Sequence, residues 1–559
     1  MASIPHHSAP QPSVAPDRSA GLPWWVVAGV LLTLGAILPL LVAERFGALG
    51  IPRGDDVSYL LTAFRFADHG VLNGSGWTAM NLVGQIALAW PVAVVFGHRV
   101  GALQVEVAVL GTVGLYAVYD MGRALLTPRR ALFVAATTAL GPLWLALAPT
   151  FLTDVPAFAF AMLSLALGLR ALRRGPHATA PLVASLAVGF VGFTIREYAA
   201  VAPLAVMAGA AITGDRTDRR RAVVSTFGFL AAAALFFAWR RHLDGFTEQT
   251  LAFPTRSSVE DALTRLAQSV VQIGFVVVPA VVLAGPTVLV RRAWNRAPRA
   301  TVLTVVLTVG AVLADAVLNG RSASFMEADR FVSNQWTIAP GTRPLLPTAL
   351  AVGLEVVGVA SFVVLLLAAL PATANLVSRS WDRTRAPAAS PPLVTIAAAI
   401  AGFVGAYGVN SLAGGTYFPR YLLPLVPLVS ILVLASAAAE RPPAPARRSL
   451  AIVALTALGV ISVAAASVNA SLEAGVWSVA RSASRSVEDP RLIDGGFDWN
   501  GWHAGVVRPP GAPPRGACVE VTLETAPPEG ARVVARRQVR SLGEDVWVVA
   551  RRTAECRER

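Results

Sequence analysis

Two adjacent carboxylates, Asp55 and Asp56, lie in the segment 53–59, RGDDVSY, and are well placed for acid–base chemistry. They follow a long apolar run, and the residues from Tyr59 to His69 carry apolar side chains at helical spacing. A carboxylate acts as a general base when it lies within hydrogen-bond reach of an acceptor hydroxyl. The alternative interpretation is that the pair only forms a turn or caps the helix that follows.

Three further polar points interrupt the apolar sequence. Asp154 precedes one apolar run, Arg196 and Glu197 break another, and Arg420 and Tyr421 begin a third. The break at Arg196 and Glu197 could form a site for an anion, since an arginine fork pairs well with one. Structural alternatives remain open. Asp154 could be a helix N-cap, Arg196 and Glu197 could pair with each other, and Arg420 could simply extend out of the membrane.

The composition of the chain indicates the class of protein in which these polar residues lie. Of the 559 residues, 55% are hydrophobic and 14% are charged. A soluble protein of this size could not bury so much apolar surface in one core. Apolar runs of about 15 to 22 residues recur, and each is roughly long enough to cross ~30 Å of hydrocarbon. The sequence therefore predicts an all-α polytopic membrane protein. Its formal net charge of +14 comes from arginines in loops, and nucleic acid is not expected as a partner.

The apolar runs predict about thirteen transmembrane helices. They are Trp24–Ala43, Val100–Met121, Ala131–Ala148, Val155–Leu169, Pro181–Ile195, Ala199–Ile212, Ala222–Trp239, Val270–Val290, Thr301–Leu318, Ala349–Leu370, Pro392–Leu412, Tyr421–Ala439 and Leu450–Val468.

The placement of arginine predicts the orientation. Six arginine-rich loops fall on one side of the membrane if the N-terminus is cytoplasmic and the run Asn81–Phe96 does not cross. That run contains Pro91 and is predicted to lie along the outer surface or to be re-entrant. The C-terminus is then extracytoplasmic, and the candidate residues all lie at the outer ends of spans.

The same pattern divides the chain into three parts. Residues 1–22 are predicted to be a disordered cytoplasmic N-terminus, residues 23–468 to be the membrane domain with a first external loop at 44–99, and residues 469–559 to be a small extracytoplasmic region. Short strands are expected in this last region near Val533 and Trp547. Its two cysteines, Cys518 and Cys556, could form one disulfide outside the cell.

The order of these motifs resembles the membrane glycosyltransferases of the C-type fold, and most closely the family 39-like group of protein mannosyltransferases and aminoarabinose transferases. Residues 54–59 (GDDVSY) resemble the acidic pair and tyrosine of that group. Residues 152–156 (LTDVP) resemble its second acidic corner, and 418–424 (FPRYLLP) its late Arg-Tyr motif. Residues 494–501 (DGGFDWNG) look like a tail element of bacterial members. Two departures are that Asp56 replaces a glutamate and that a Pro-Pro pair is absent near Asn81.

The resemblance implies transfer of a sugar, with inversion, from a polyprenyl-phosphate donor to a lipid, glycan or protein acceptor at the outer face of a bacterial plasma membrane. It implies Asp55 as the base, with Asp56 and Asp154 positioning the acceptor or, alternatively, a divalent metal completed by Glu327. Arg420, or else Arg196, would hold the carrier phosphate. The implied substrate-binding residues are Tyr59, Arg196, Glu197, Glu327, Arg420 and Tyr421.

Two other classes of function remain open. A polytopic transporter or lipid flippase also has many spans, but it usually shows paired repeats and keeps its charges near the middle of the membrane. We find no convincing internal symmetry in this sequence, and its acidic residues lie at the ends of spans. A non-catalytic polysaccharide-assembly protein is the third possibility.

Overall fold

The computed structural model describes residues 22–553, except for 79, 175–178, 248–253, 319–347, 382–389, 414, 416–417, 438–442, 488, 506, 508–515, 525, 527–531 and 541–544. Two of the residues named in the sequence analysis, Glu327 and Cys556, lie outside the described residues. The same holds for almost all of the predicted N-terminal segment 1–22.

The described chain is mostly helical. Its α-helices are Trp24–Leu32, Leu38–Arg45, Asp56–His69, Val83–Phe96, Val100–Gly122, Pro128–Ala139, Pro142–Leu147, Asp154–Arg174, Thr179–Ile195, Val201–Thr213, Arg216–Arg240, Arg256–Val276, Val278–Ala284, Pro286–Arg296, Pro298–Leu318, Thr348–Trp381, Pro391–Leu412, Leu425–Ala437, Pro445–Ala483 and Gly496–Ala504. A π-helical turn, Thr33–Ile37, joins the first two, and 3-10 turns occur at Glu197–Ala200, Pro419–Leu422, Ser484–Ser486 and Pro490–Leu492.

Eight helical segments among the described residues are long and apolar enough to cross a membrane, and a pair bent by 60° makes a ninth. The eight are Trp24–Arg45, Val100–Gly122, Asp154–Arg173, Arg216–Arg240, Val352–Leu370, Pro391–Leu412, Pro419–Ala437 and Pro445–Ser486; the bent pair is Ser257–Val276 with Val278–Ala284. These segments confirm a multi-pass, mostly helical membrane protein. The total of about thirteen spans stays a prediction, to which shorter apolar helices such as Ala180–Ile195 would contribute.

The predicted surface segment of the first loop forms the helix Val83–Phe96, with Pro91 inside it. This helix has 14 residues and is shorter than the eight span candidates. Leu82, directly before it, has a φ angle of 59°, and Gly84 packs so tightly that a Cβ there would lie 2.8 Å from a side-chain carbon of Ile195. The start of the helix is thus fixed against the helix Thr179–Ile195 by close packing.

The last long helix and a small sheet form a second packing unit. The helix Pro445–Ala483 continues past residue 468, and one side of the sheet covers its end. The strands β1 (Ile493–Asp494), β2 (Val519–Glu524), β3 (Val533–Val539) and β4 (Val546–Arg552) pair in the order β1-β2-β4-β3. β1 and β2 are parallel, and the other pairs are antiparallel.

The two strands predicted near Val533 and Trp547 correspond to β3 and β4, and β1 and β2 were not predicted. In β2, the side chains of Val519, Val521 and Leu523 alternate with more exposed residues and face the helix, as expected for a half-buried strand. Cys518, directly before β2, is disulfide-bonded.

Candidate active site

Asp55 lies at the N-cap position of the helix Asp56–His69, but its side chain makes no capping hydrogen bond. Its Oδ2 is 2.5 Å from Nη2 of Arg420, and its Oδ1 accepts a hydrogen bond of 3.0 Å from the Trp77 indole. Gly54 has a φ angle of 63°, a left-handed conformation that glycine adopts without strain, and it turns the chain just before the carboxylate. The Asp55 carboxylate is therefore directed away from the helix and held by a guanidinium and an indole.

Asp154 and Arg196 bring a second ion pair to the same place. Oδ2 of Asp154 is 3.0 Å from Nη1 of Arg196 and 3.5 Å from Nε of Arg420. Arg196 also donates to the Thr153 hydroxyl at 2.6 Å, so it engages the corner before the helix Asp154–Arg174. We call Asp55, Asp154, Arg196 and Arg420 the arginine–carboxylate cluster. Two arginines face two carboxylates, and all four residues are buried.

Aromatic rings hold both guanidinium groups in place. The Arg196 guanidinium lies 4.5 Å from the centre of the Tyr421 ring, and that of Arg420 lies 4.1 Å from the Phe418 ring. The Tyr198 hydroxyl donates to the backbone carbonyl of Asp154 at 3.0 Å. Stacking on a ring restricts the plane of a guanidinium, which preorganises its hydrogen-bond fork for an anion.

Tyr59 lies one helical turn after the acidic pair and is completely buried. Its hydroxyl has no hydrogen-bond partner within the described part of the chain. Burial, and the nearby Asp55 carboxylate, raise the pKa of Tyr59 well above its ordinary value, so the side chain stays a neutral phenol. A buried hydroxyl without a partner is costly to the fold.

Asp56 has a different set of partners from Asp55. Its Oδ1 accepts from the backbone N–H of Arg53, and its Oδ2 accepts from the backbone N–H of Phe151 at 3.2 Å. Arg53 in turn donates to the Pro149 carbonyl and pairs with Glu473 of the last long helix at 3.1 Å. Burial raises the pKa of Asp56 well above its ordinary value, against the lowering effect of its backbone donors. Asp56 thus ties the first loop to the corner before Asp154–Arg174.

A cavity of about 460 Å³ adjoins the cluster. Arg196 and Tyr421 line it, together with three further charged side chains, Arg240, Arg241 and Glu197. Its other lining residues are mainly aromatic or apolar: Met80, Tyr198, Val201, Phe237, Phe403, Ala406, Tyr407 and Asn410. Three arginines against one glutamate favour an anionic group, and the apolar lining favours a lipid or the face of a sugar.

Of the three residues predicted to hold a divalent metal in the alternative interpretation, Glu327 lies outside the described residues. Each oxygen of Asp56 is engaged by a backbone N–H, and Oδ2 of Asp154 faces two arginines. Among the described residues, no group of three or more acidic, histidine or cysteine side chains is arranged to hold a metal ion.

The structure brings most of the predicted residues together. Asp55, Asp154, Arg196 and Arg420 form the cluster, with Tyr59 and Tyr421 beside it, while Asp56 lies next to it and Glu197 faces the cavity. Sequence reasoning missed several residues that contact them or line the cavity, namely Arg53, Trp77, Glu473 and Arg240. Only Arg53 carried a signal, because it lies within a motif that the sequence already singled out.

Known proteins support the predicted resemblance. Residues 85–240 match the family described as dolichyl-phosphate-mannose-protein mannosyltransferase. This stretch contains Asp154, Arg196 and Arg240, and the match confirms the resemblance to the protein mannosyltransferase group. No curated protein is significantly similar to the chain in sequence.

Several solved structures are similar at low sequence identity. The apo oligosaccharyltransferase of Archaeoglobus fulgidus is 14% identical, with a TM-score of 0.44 over 86% of this chain and 63% of its own. AglB from the same organism, in complex with an inhibitory peptide and a dolichol-phosphate, is 13% identical, with a TM-score of 0.43 over 88% and 61%. ArnT from Cupriavidus metallidurans bound to undecaprenyl phosphate is 15% identical, with a TM-score of 0.36 over 96% and 99%. The chain thus spans less than two thirds of the archaeal enzymes, and likenesses of this degree do not assign its substrates.

Proposed function

We propose that the protein is a membrane glycosyltransferase that moves a sugar, with inversion, from a polyprenyl-phosphate donor to an acceptor hydroxyl. The observation that carries the proposal is the arginine–carboxylate cluster, in which Asp55 lies against Arg420 beside the pair of Asp154 and Arg196. We place this site at the extracytoplasmic face of a bacterial plasma membrane, as the distribution of arginine indicates. The match to the mannosyltransferase family supports the reaction class.

Asp55 is the proposed general base. Its carboxylate lies against Arg420, and it would accept the proton of the acceptor hydroxyl. The acceptor oxygen then bonds to the anomeric carbon while the bond from that carbon to the carrier phosphate oxygen breaks. The proton goes to Asp55, the bonding electrons go to the phosphate, and the sugar is inverted at the carbon attacked.

Arg196 and Arg420 are the proposed partners of the departing phosphate. Arg196 lines the cavity directly, and its ring contact with Tyr421 fixes its plane. Arg420 contacts Asp55, so this one side chain would contact both the base and the leaving phosphate. Guanidinium groups stabilise a developing phosphate charge through paired hydrogen bonds, and a buried site strengthens this effect.

The remaining residues have supporting roles. Asp56 orients the turn that carries Asp55, because backbone N–H groups of Arg53 and Phe151 occupy both of its oxygens. Tyr59 offers its unpartnered hydroxyl to a bound sugar or phosphate. Arg240, Arg241 and Glu197 give the cavity a net positive charge for the donor head group.

The reaction is tested with purified protein in liposomes that contain undecaprenyl phosphate carrying a radiolabelled sugar. A panel with mannose, glucose or arabinose is incubated with a soluble glycoside acceptor, and the labelled product is measured. Transfer by the wild type and loss of transfer in Asp55→Asn support the proposal.

The same liposomes separate the alternatives. A fluorescent analogue of the lipid donor reports movement between the two leaflets. Flipping without transfer from any donor in the panel would indicate a lipid flippase instead, and full transfer by Asp55→Asn would refute Asp55 as the base.

A further inference from the structure

The C-terminal region packs directly against the first loop. Its helix Gly496–Ala504 contacts the helix Asp56–His69, and the rings of Phe64 and Trp502 meet edge to face at 6.4 Å. Just beyond this helix, the backbone N–H of Val507 donates to the Ser75 carbonyl at 2.8 Å. These contacts join segments more than four hundred residues apart, close to the proposed base.

Asp498, in the first turn of this C-terminal helix, is buried near the backbone that carries Asp55. The residue is only 6% exposed, and the nearby backbone N–H of Gly54 acts to lower the pKa of its carboxyl group. Its Oδ1 has no hydrogen-bond partner within the described part of the chain. A buried carboxyl group is costly, and this one lies beside the left-handed glycine directly before the base.

Phe497, the preceding residue, contacts the other support of the base. Its ring packs edge to face on the Trp77 indole with 6.2 Å between ring centres. The Trp77 indole donates its N–H to Asp55 at 3.0 Å. Of two consecutive residues of the C-terminal helix, Phe497 therefore packs on the indole donor of Asp55, and Asp498 lies near the backbone that precedes Asp55.

We infer that Phe497 and Asp498 are positioning residues for the base, so that the C-terminal region completes the active site instead of only covering it. The inference rests on the proposed role of Asp55. Asp498 fixes the turn at Gly54, and Phe497 fixes the indole of Trp77. A displacement of about 1 Å in a catalytic group can lower a rate by roughly 100-fold, so such supports matter for turnover.

The electrostatics of Asp498 indicate a suitable mimic. Burial raises the pKa of Asp498 well above its ordinary value, and the nearby carboxyl groups of Asp56, Glu473 and Asp55 raise it further, against the Gly54 N–H that lowers it. Asparagine resembles the neutral carboxyl in shape and keeps an oxygen for Gly54. Alanine removes that oxygen.

The test compares Asp498→Ala, Asp498→Asn and Phe497→Leu in the full-length protein. Glu520→Gln is the control, since Glu520 is an exposed carboxylate on β2 of the same region. Hydrogen exchange of the peptide that covers residues 50–60 is measured alongside sugar transfer. We expect about 10-fold faster exchange near Gly54 and roughly 10- to 100-fold lower kcat in Asp498→Ala, with a donor KM within about twofold of wild type.

The variants Asp498→Asn and Phe497→Leu distinguish the role of Asp498 from that of Phe497. Asp498→Asn should restore kcat to within about threefold, and Phe497→Leu should lower kcat several-fold without faster exchange at Gly54. Unchanged exchange in Asp498→Ala would overturn the proposed contact whatever the activity. Faster exchange with unchanged kcat, while Asp55→Asn is inactive, would overturn the positioning role alone. If Asp55→Asn itself is fully active, the base assignment fails and the positioning role fails with it.

Discussion

The side chains of Asp55 and Asp56 leave the same turn and enter different surroundings. Asp55 meets the Arg420 guanidinium and the Trp77 indole, beside a cavity rich in arginine. Asp56 meets two backbone N–H groups and lies near Glu473, which pairs with Arg53. The first environment pairs the carboxylate with a guanidinium in a cluster that adjoins the cavity, and the second buries a carboxyl group among backbone donors.

The difference lies in the balance of charge. In the arginine–carboxylate cluster, two arginines face two carboxylates. In what we call the acidic cluster, the carboxyl groups of Asp56, Glu473 and Asp498 lie near one another, and Arg53 pairs with Glu473. Burial raises the pKa of Asp56 and of Asp498 well above the ordinary value and favours their neutral forms, while Glu473 keeps its arginine partner. Two neighbouring acids thus acquire different roles from their environment.

Replacing each acid by its amide gives the largest expected contrast. Asp55→Asn should lower kcat for sugar transfer by about 10²- to 10⁴-fold, because the general base is lost. Its unfolding midpoint in detergent should stay close to that of the wild type. Asp56→Asn should instead be less stable by roughly 1–3 kcal/mol, since the amide cannot accept from both backbone donors. Equal loss of transfer in two equally stable variants would remove the distinction.

Removing the single cation of the acidic cluster should come next in size. Arg53→Ala leaves Glu473 buried without its partner, and we expect a loss of about 3–5 kcal/mol in the free energy of unfolding. Denaturation in detergent measures this change. Arg491→Ala is the matched control because its pair with Asp489 is exposed, so its midpoint should not move. Indistinguishable midpoints for the two variants would show that the acidic cluster does not hold the fold.

A conservative change in the arginine–carboxylate cluster should have a smaller effect. Arg196→Lys keeps the charge but loses the hydrogen-bond fork and the stacking on Tyr421. We expect donor affinity to fall by about tenfold, with little change in stability. Binding of undecaprenyl phosphate is measured by titration, with Arg491→Lys on the exposed surface as the control. Unchanged affinity would place the donor phosphate away from Arg196.

The pH dependence of stability should show the smallest effect. Because the pKa of Asp498 is raised in the folded protein, its contribution is present below the ordinary carboxyl pKa of about 4 and is lost as pH rises through the raised value. Asp498→Asn removes this group, so its unfolding midpoint should fall less steeply with rising pH. Asp56 shifts in the same direction and remains, so part of the slope persists. A slope equal to those of the wild type and of Glu520→Gln would contradict a buried, neutral Asp498.

Much of the architecture and part of the site were predictable from the sequence. The apolar runs marked the long helices, and the valine-rich stretches near Val533 and Trp547 marked β3 and β4. The motifs identified Asp55, Asp154 and Arg420 by residue type and by their position next to apolar runs. Local pattern could not separate Asp55 from Asp56, because both acids occupy the same turn and only their distant partners differ.

By itself, the sequence determined that this chain enters a membrane and which polar residues interrupt its apolar runs, because hydrocarbon thickness and hydrogen bonding act on each segment separately. Only the tertiary structure decided which of these polar residues contact one another. Arg420 reaches Asp55 across 365 residues of sequence, and Arg53 reaches Glu473 across 420. Such partners are selected by how helices pack and by the need to neutralise buried charge, and neither is written in the spacing of neighbouring residues.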